Sequence, residues 1–210
     1  MDRNHVLVFI LGCLCGMVVV ALFYKLATKL PQHAFGRFVG EVDTTWLPDG
    51  RMMKLNKDFA YSDPNHKVWL APAESMINGA SIPRAFWTLI GGPFEGQYRN
   101  ASVVHDVACE EKKEPSDDVH KMFYFACLCG GVSESKAKAM YYGILLGGPK
   151  WNITRALLTR NNKRVVVSNP VDVIEGQPLT QEDAAAIIHY FETHNPSLNE
   201  IPTLEILPRQ

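Results

Sequence analysis

Residues 97–129 read QYRNASVVHDVACEEKKEPSDDVHKMFYFACLC, and this stretch decides the fold. Apolar side chains recur in its first half at the three- and four-residue spacing of a helix, and a second such pattern follows Pro115. The first stripe consists of Tyr98, Ala101, His105 and Ala108 with Val104 beside it, and the second of Val119, Met122, Phe123 and Ala126. Because two helices joined by a short connection run antiparallel, the stretch predicts a helical hairpin.

Short extended runs precede the hairpin. They occupy 37–47, 54–61 and 67–70, and turn-forming residues separate them at 48–50 and 62–65. Extended runs broken by Pro, Asp, Asn and Gly in this way are typical of a small antiparallel meander. Pro83 then opens a short helix that ends before Gly91.

The sequence predicts an α+β fold and three parts of the chain. These are a membrane anchor at 1–31, a globular α+β domain at 32–151 and a C-terminal extension with one helix at 152–210. In the globular domain the meander packs with the hairpin and with a third helix, which begins after Ser133 and ends near Gly147.

The extension contains few large apolar residues. A strand is predicted at 164–167, and Thr180 begins a capped helix that reaches about Thr193. Because the helical stripes of the core end by Trp151, we expect residues 36–151 to fold without the extension.

The N-terminal segment predicts a membrane span. Val6–Tyr24 contains 19 residues without a charge, the length that a helix needs to cross a hydrocarbon core of about 30 Å. We interpret it as an uncleaved single-pass anchor in the lipid bilayer; a cleaved signal peptide, a lipoprotein signal and a buried core helix are the alternatives. Arg3 precedes the span whereas Lys25 and Lys29 follow it, which favours a cytoplasmic C-terminal domain.

The charge balance and the cysteines exclude several classes of protein. The chain has 21 Lys and Arg against 22 Asp and Glu, a net charge of −1, so we expect no nucleic-acid partner. Three cysteines lie outside the anchor, Cys109, Cys127 and Cys129. An odd number does not form a disulfide framework, and we interpret them as small buried thiols.

Two histidines and two aspartates define the candidate site. At 1.5 Å per residue, His105 lies about 13 Å from a turn near residue 113 or 114 and His120 lies about 10 Å from it, so the hairpin brings them together. Asp106 follows His105 directly, and Asp117 shares a face of the second helix with His120. Such a group can form a general base or a His/Asp metal site.

In this hypothesis the catalytic residues are His105, Asp106, Asp117 and Arg84, and a divalent cation is held by Asp106 and His120. His105 is the base, oriented by one of the two aspartates. Burial lowers its pKa and the carboxylates raise it, so we expect a pKa near neutrality. The alternative is that both histidines are hydrogen-bonded core residues.

The segment Asn78-Gly79-Ala80-Ser81-Ile82-Pro83-Arg84 is the second candidate feature. Its glycine permits a tight turn, and the helix that begins at Pro83 has N–H groups that could hold an anion or orient Ser81. We expect Arg84, in the first turn, to reach the histidines. A serine nucleophile is not favoured, because the Gly-x-Ser-x-Gly elbow is absent.

Over 36–151 the chain resembles an uncharacterised domain family of short phage and bacterial proteins. The residues that carry the resemblance are 78–84, Trp87, Ile90-Gly91, Val104-His105-Asp106, Phe123-Tyr124, Gly131-Val132, Met140-Tyr141 and Trp151. The chain departs from the family at Asn78, where Asp is usual, and at His120, where an acidic residue is often found. The resemblance implies a phage or prophage setting and candidate site residues, but no reaction.

A fainter resemblance is to phospholipases A2, in which a helical His-Asp pair supplies a base and a calcium ligand. It implies His105 as the base, Asp106 as the metal ligand and a carbonyl loop at Gly91, Gly92 or Gly96. The chain departs from these enzymes in having a cysteine four residues after the histidine, no helix-pairing disulfides and no glycine-rich calcium sequence.

The sequence therefore favours a single-pass, membrane-anchored protein of phage or prophage type that acts as a hydrolase. Its His/Asp site would activate water, directly or with a divalent cation. The alternative is a non-enzymatic membrane-associated protein that binds a protein or small-molecule partner through the 78–84 loop and the hairpin.

Overall fold

The described part of the chain comprises residues 34–79, 82–92, 94–160 and 163–207 of a computed structural model, with the backbone alone at 156–160 and 163–168. It contains five helices and eight strands, an α+β fold with small antiparallel sheets. The proposed span Val6–Tyr24 lies outside these residues. Within them, no helix has the length and apolarity that crossing a bilayer requires.

The helical hairpin is present as predicted. The helices are α1 (Trp87–Ile90), α2 (Arg99–Glu111), α3 (Ser116–Cys129), α4 (Glu134–Gly147) and α5 (Gln181–Thr193). Helix α2 ends where Lys112 takes the left-handed conformation, with φ 48°. Pro115 lies directly before α3. Since proline disfavours a helical conformation in the residue before it, Pro115 helps to keep α2 and α3 separate. Helix α3 packs against both α2 and α4.

The strands form three small sheets rather than one meander. They are β1 (Arg37–Val39), β2 (Thr44–Trp46), β3 (Met53–Leu55), β4 (Phe59–Ser62), β5 (Val68–Ala71), β6 (Met76–Ile77), β7 (Lys150–Arg160) and β8 (Lys163–Ile174). The orders are β1-β4-β5, β2-β3-β6 and β7-β8. Asp49 and Asp63 accept backbone N–H bonds at the two predicted turns. However, β1 pairs with β4 across the β2–β3 hairpin, and turn signals do not predict such a long-range pairing.

The third sheet is a two-stranded ribbon, of which the sequence predicted only a strand at 164–167. Strands β7 and β8 pair antiparallel and meet at Arg160 opposite Lys163. Trp151 fixes the base of the ribbon to the helical hairpin: its ring is buried, and its indole N–H donates to the Glu114 carbonyl at 2.6 Å. The ribbon therefore begins at the connection between α2 and α3.

The C-terminal extension packs into the same core as the sheets and the hairpin. Helix α5 begins as predicted, with a capping box between Thr180 and Asp183. Among the side chains of the extension that the structure describes, the buried ones are Ala184, Ile187, Phe191 and Ile201. Phe35–Gln210 is one compact unit. The extension thus supplies core material that sequence reasoning did not assign to it.

Candidate functional site

His105 of α2 and His120 of α3 meet inside the hairpin, as predicted. Both side chains are fully buried, with 0% of their surface exposed. His105 Nε2 lies 3.0 Å from His120 Nδ1, which is a hydrogen-bond distance. Phe123 packs against the first ring and Trp151 against the second. Aromatic side chains therefore help to enclose the pair.

A backbone carbonyl decides which nitrogen of His120 carries the proton. His120 Nε2 lies 3.0 Å from the carbonyl oxygen of Pro149. Since a carbonyl only accepts hydrogen bonds, this nitrogen is the donor. In a neutral ring Nδ1 then carries the lone pair and accepts a hydrogen bond from His105 Nε2. The connection between α4 and β7 thus orients His120.

Cys109 completes the group, a role that the sequence analysis did not assign to it. Its Sγ lies 3.6 Å from His105 Nε2 and 3.9 Å from His105 Nδ1. The donor atoms of His105, Cys109 and His120 all lie within 4.8 Å of one another, and all three residues are buried. The signal in the sequence was the spacing of four between His105 and Cys109, which puts both side chains on one helix face.

Burial keeps both imidazoles neutral. It lowers the pKa of His105 well below the ordinary 6.5, and His120 lowers it further. Burial also lowers the pKa of His120 to about 4, although the Pro149 carbonyl and Asp117 act in the opposite direction. The expectation of a near-neutral pKa for His105 is therefore wrong, because loss of solvent outweighs any contribution from the carboxylates. Neutral imidazole is the form that binds a metal ion.

The carboxylate of Asp106 binds the backbone at Asn78 and Gly79. Its Oδ2 accepts hydrogen bonds from the backbone N–H groups of Asn78 at 2.7 Å and Gly79 at 2.8 Å. Gly79 takes a left-handed conformation, with φ 68°, which glycine adopts readily. Asp106 therefore fixes this turn to α2. Two metal ligands were predicted, His120 and Asp106. His120 belongs to the group of closely spaced donor atoms, whereas Asp106 does not.

The other predicted site residues lie outside the group. Asp117 is exposed in the first turn of α3 and acts on His120 through its charge, which raises the pKa of that ring. Arg84 is also exposed, and its guanidinium lies 5.6 Å from the centre of the Trp87 ring. It belongs to a 3-10 turn that packs against α5. Ser81 lies outside the described residues.

A cavity of about 540 Å³ opens beside the group. Its wall includes Cys109, and also Pro149, whose carbonyl orients His120. The other residues of the wall combine apolar side chains with carboxylates, among them Met52, Met76, Val107, Glu110, Glu111 and Glu175. A small molecule in this cavity would therefore meet the group at Cys109.

Comparison with known families gives one match. Residues 53–144 match the model of a family described as "Protein of unknown function (DUF1353)". The matched stretch contains His105, Cys109 and His120 and ends before Pro149. It lies within the 36–151 stretch on which the sequence resemblance rests.

Two bacterial relatives, both from Sinorhizobium fredii (strain NBRC 101917 / NGR234), are similar to this chain. The uncharacterized protein y4jT is 45% identical over 102 residues, which are 49% of this chain and 30% of that protein. The uncharacterized protein y4iH is 34% identical over 137 residues, which are 64% of this chain and 57% of that protein. The chain thus spans less than two thirds of the length of these relatives. No solved structure matches the chain.

The matches support a bacterial family of unknown function and support neither the phage setting nor the likeness to phospholipases A2. The structure also bears on the carbonyl loop that the latter implies. The Tyr98 hydroxyl lies 2.5 Å from the Gly91 carbonyl oxygen and 2.6 Å from that of Gly92. These two carbonyls therefore face the Tyr98 side chain.

Proposed function

We propose that the domain is a hydrolase whose water-activating centre is the buried group of His105, Cys109 and His120. The observation that carries the proposal is the position of the group: its donor atoms lie within 4.8 Å of one another, and it borders a cavity through Cys109. Titratable groups whose pKa is strongly shifted by burial beside a cleft are typical of catalytic sites.

The proposal gives each residue a distinct role. A water molecule at the end of the cavity next to Cys109 attacks the substrate, and His105 is the base: its Nδ1, which carries the lone pair when Nε2 donates to His120, takes up the proton of the water. The Pro149 carbonyl fixes His120 in one tautomer and so orients the pair. Asp106 is a positioning residue, because it holds the turn at Asn78 beside it in the cavity wall.

The test is hydrolysis by the full-length protein of chromogenic carboxylic esters, amides and phosphate esters. His105→Gln keeps much of the volume of the side chain but removes the imidazole. We expect it to lower the rate at least ~100-fold, since positioned proton transfer contributes about 10²–10⁴-fold. His189→Gln is the matched control, because His189 is an exposed histidine on α5. It should retain the wild-type rate.

Two outcomes would reject the hydrolase. One is a folded wild-type protein that acts on none of these substrate classes, and the other is a His105→Gln variant with undiminished activity. Either result would favour the alternative function, a non-enzymatic protein that binds a protein or small-molecule partner. In that case both histidines would be core residues, and His105→Gln would lower stability by about 1–3 kcal/mol.

We also propose that Val6–Tyr24 anchors the protein in the lipid bilayer as a single span, with the C-terminal domain on the cytoplasmic side. The support is the sequence, in which these 19 residues lack a charge and Lys25 and Lys29 follow them. The full-length protein should stay with the membranes after alkaline carbonate extraction and leave them only in detergent. Release without detergent would overturn the anchor.

A further inference from the structure

We infer that His105, Cys109 and His120 bind a zinc ion. This inference deepens the proposed hydrolase, on whose site it rests, because it names the agent that activates water. Zinc binding can nevertheless be measured without any substrate. The inference stands on three observations: the distances between the donor atoms, the hydrogen bond that orients His120, and the chemical types of the donors.

Two of the three distances between the donor atoms are close to those of a tetrahedral zinc site, and the third, between Cys109 and His120, is no more than 4.8 Å. Zinc binds nitrogen at about 2.0–2.1 Å and sulfur at about 2.3 Å, so two nitrogens lie about 3.3 Å apart around the ion and nitrogen lies about 3.6 Å from sulfur. The distance from His105 Nε2 to His120 Nδ1 is 3.0 Å, and that from Cys109 Sγ to His105 Nε2 is 3.6 Å. Moving one imidazole outward by about 0.3 Å brings the nitrogens to the spacing that zinc requires.

The surrounding hydrogen bonds already select a ligating atom. The Pro149 carbonyl accepts the Nε2 proton of His120 and leaves Nδ1 with the lone pair that zinc needs. A hydrogen bond from the second nitrogen of a ligating histidine to a carbonyl is characteristic of metal sites. When zinc binds, the proton of His105 moves from Nε2 to Nδ1, and the Cys109 thiol releases its proton to solvent.

The donor types favour zinc over calcium and magnesium. One thiolate and two imidazoles suit zinc, whereas calcium and magnesium prefer carboxylate and carbonyl oxygens. The carboxylate of Asp106 already accepts two backbone N–H bonds. Three protein ligands leave a fourth position, and Cys109 lies in the wall of the cavity. Catalytic zinc sites keep such a position for water, whereas structural zinc sites are closed by four protein ligands.

The test compares the purified full chain with two matched cysteine variants. Cys109→Ala removes a proposed ligand, and Cys127→Ala removes a fully buried thiol of α3 that lies outside the group. Zinc content is measured by mass spectrometry. Cobalt, exchanged for zinc, is measured through its thiolate charge-transfer absorption in the near ultraviolet. We expect the wild type and Cys127→Ala to hold an equimolar amount of zinc and to show the cobalt band, and Cys109→Ala to lose both.

The outcomes separate the inference from the proposed function. A wild type that holds neither zinc nor cobalt, or a cobalt band that Cys109→Ala leaves unchanged, overturns the inference. If the protein binds zinc but hydrolyses none of the substrates, the zinc site stands and the hydrolase is rejected. If it hydrolyses a substrate without bound metal, the hydrolase stands and the zinc site is rejected. If Cys109→Ala does not fold, His120→Gln serves instead. Its amide can still donate to the Pro149 carbonyl but offers no ring nitrogen, so the inference requires it to lose zinc.

Discussion

Acid should destabilise the metal-free protein, because it forces a proton onto a buried imidazole. The pKa of His120 is about 4 in the folded protein against an ordinary 6.5. Between these values the folded protein binds fewer protons than the unfolded chain, so the free energy of unfolding rises with pH. The stabilising contribution is complete above about pH 6.5 and is lost as the pH falls from there toward about 4.

The size of this effect follows from the difference between the two pKa values. A difference of about 2.5 pH units corresponds to about 3 kcal/mol, since one unit is worth about 1.36 kcal/mol. That is a large part of the roughly 5–15 kcal/mol that stabilises a folded domain. His105 acts in the same direction, because burial lowers its pKa too. Carboxylates with a lowered pKa, such as Asp49 and Glu200, take up protons only at lower pH.

The assay is urea unfolding of the full-length protein in detergent and a metal chelator, at a series of pH values from about 7.5 to 4.5. The wild type should lose about 2–3 kcal/mol over this range from His120 alone. His120→Gln does not titrate, so its free energy of unfolding should fall less steeply with acid. His189→Gln, at an exposed position of α5, should follow the wild type. Parallel curves for the wild type and His120→Gln would refute the reasoning.

Four further substitutions, of which Ile188→Ala is a control, test the packing of the C-terminal extension, the packing of α4 and the role of Asp106. Ile187 is fully buried in α5, so Ile187→Ala should lower the free energy of unfolding by about 2–5 kcal/mol. Ile188, the next residue, is only partly buried, so Ile188→Ala should lower it less. Equal losses for the two variants in urea unfolding would contradict the packing of the extension. Gly143→Ala places a Cβ 2.4 Å from two ring atoms of Phe86, so it should destabilise the protein by about 1–3 kcal/mol. An unchanged melting curve in calorimetry would show instead that the ring moves aside. Asp106→Asn weakens the hydrogen bonds that the carboxylate accepts from the backbone N–H groups of Asn78 and Gly79 and should cost about 1–3 kcal/mol. Its zinc content should stay the same, and a folded variant without zinc would contradict the exclusion of Asp106 from the site.

The meeting of the two histidines could be predicted from the sequence because it depends on local features. Two helical stripes and a short connection containing Pro115 fix the direction of both helices, and the rise per residue then fixes the heights of His105 and His120. The capped helix at Thr180 was predictable for the same reason, since the two residues of its capping box lie within four positions of each other in the sequence. The interleaved sheets were not, because the pairing of β1 with β4 depends on contacts far apart in the chain.

Two parts of the candidate site could not be predicted from residue types alone. The Pro149 carbonyl is a backbone group, and its position depends on how the connection after α4 approaches α3. Cys109 lies on an apolar face, where a thiol is most often a small buried side chain. Its spacing from His105 becomes informative only once His120 of another helix is known to lie within 4.8 Å.

The separation of His105 from Asp106 follows from the geometry of the helix that carries both. Adjacent residues point about 100° apart around a helix axis, whereas residues four positions apart share a face. The Asp of a helical His-Asp pair therefore points away from the ring of its own His. An acid that orients this ring has to come from another element. In this chain α3 brings His120 to that position beside the ring, and Asp106 binds the turn at Gly79. An acid at this position would make His105 a stronger base, whereas a second imidazole beside Cys109 gives the same pocket the donor types that suit a zinc ion.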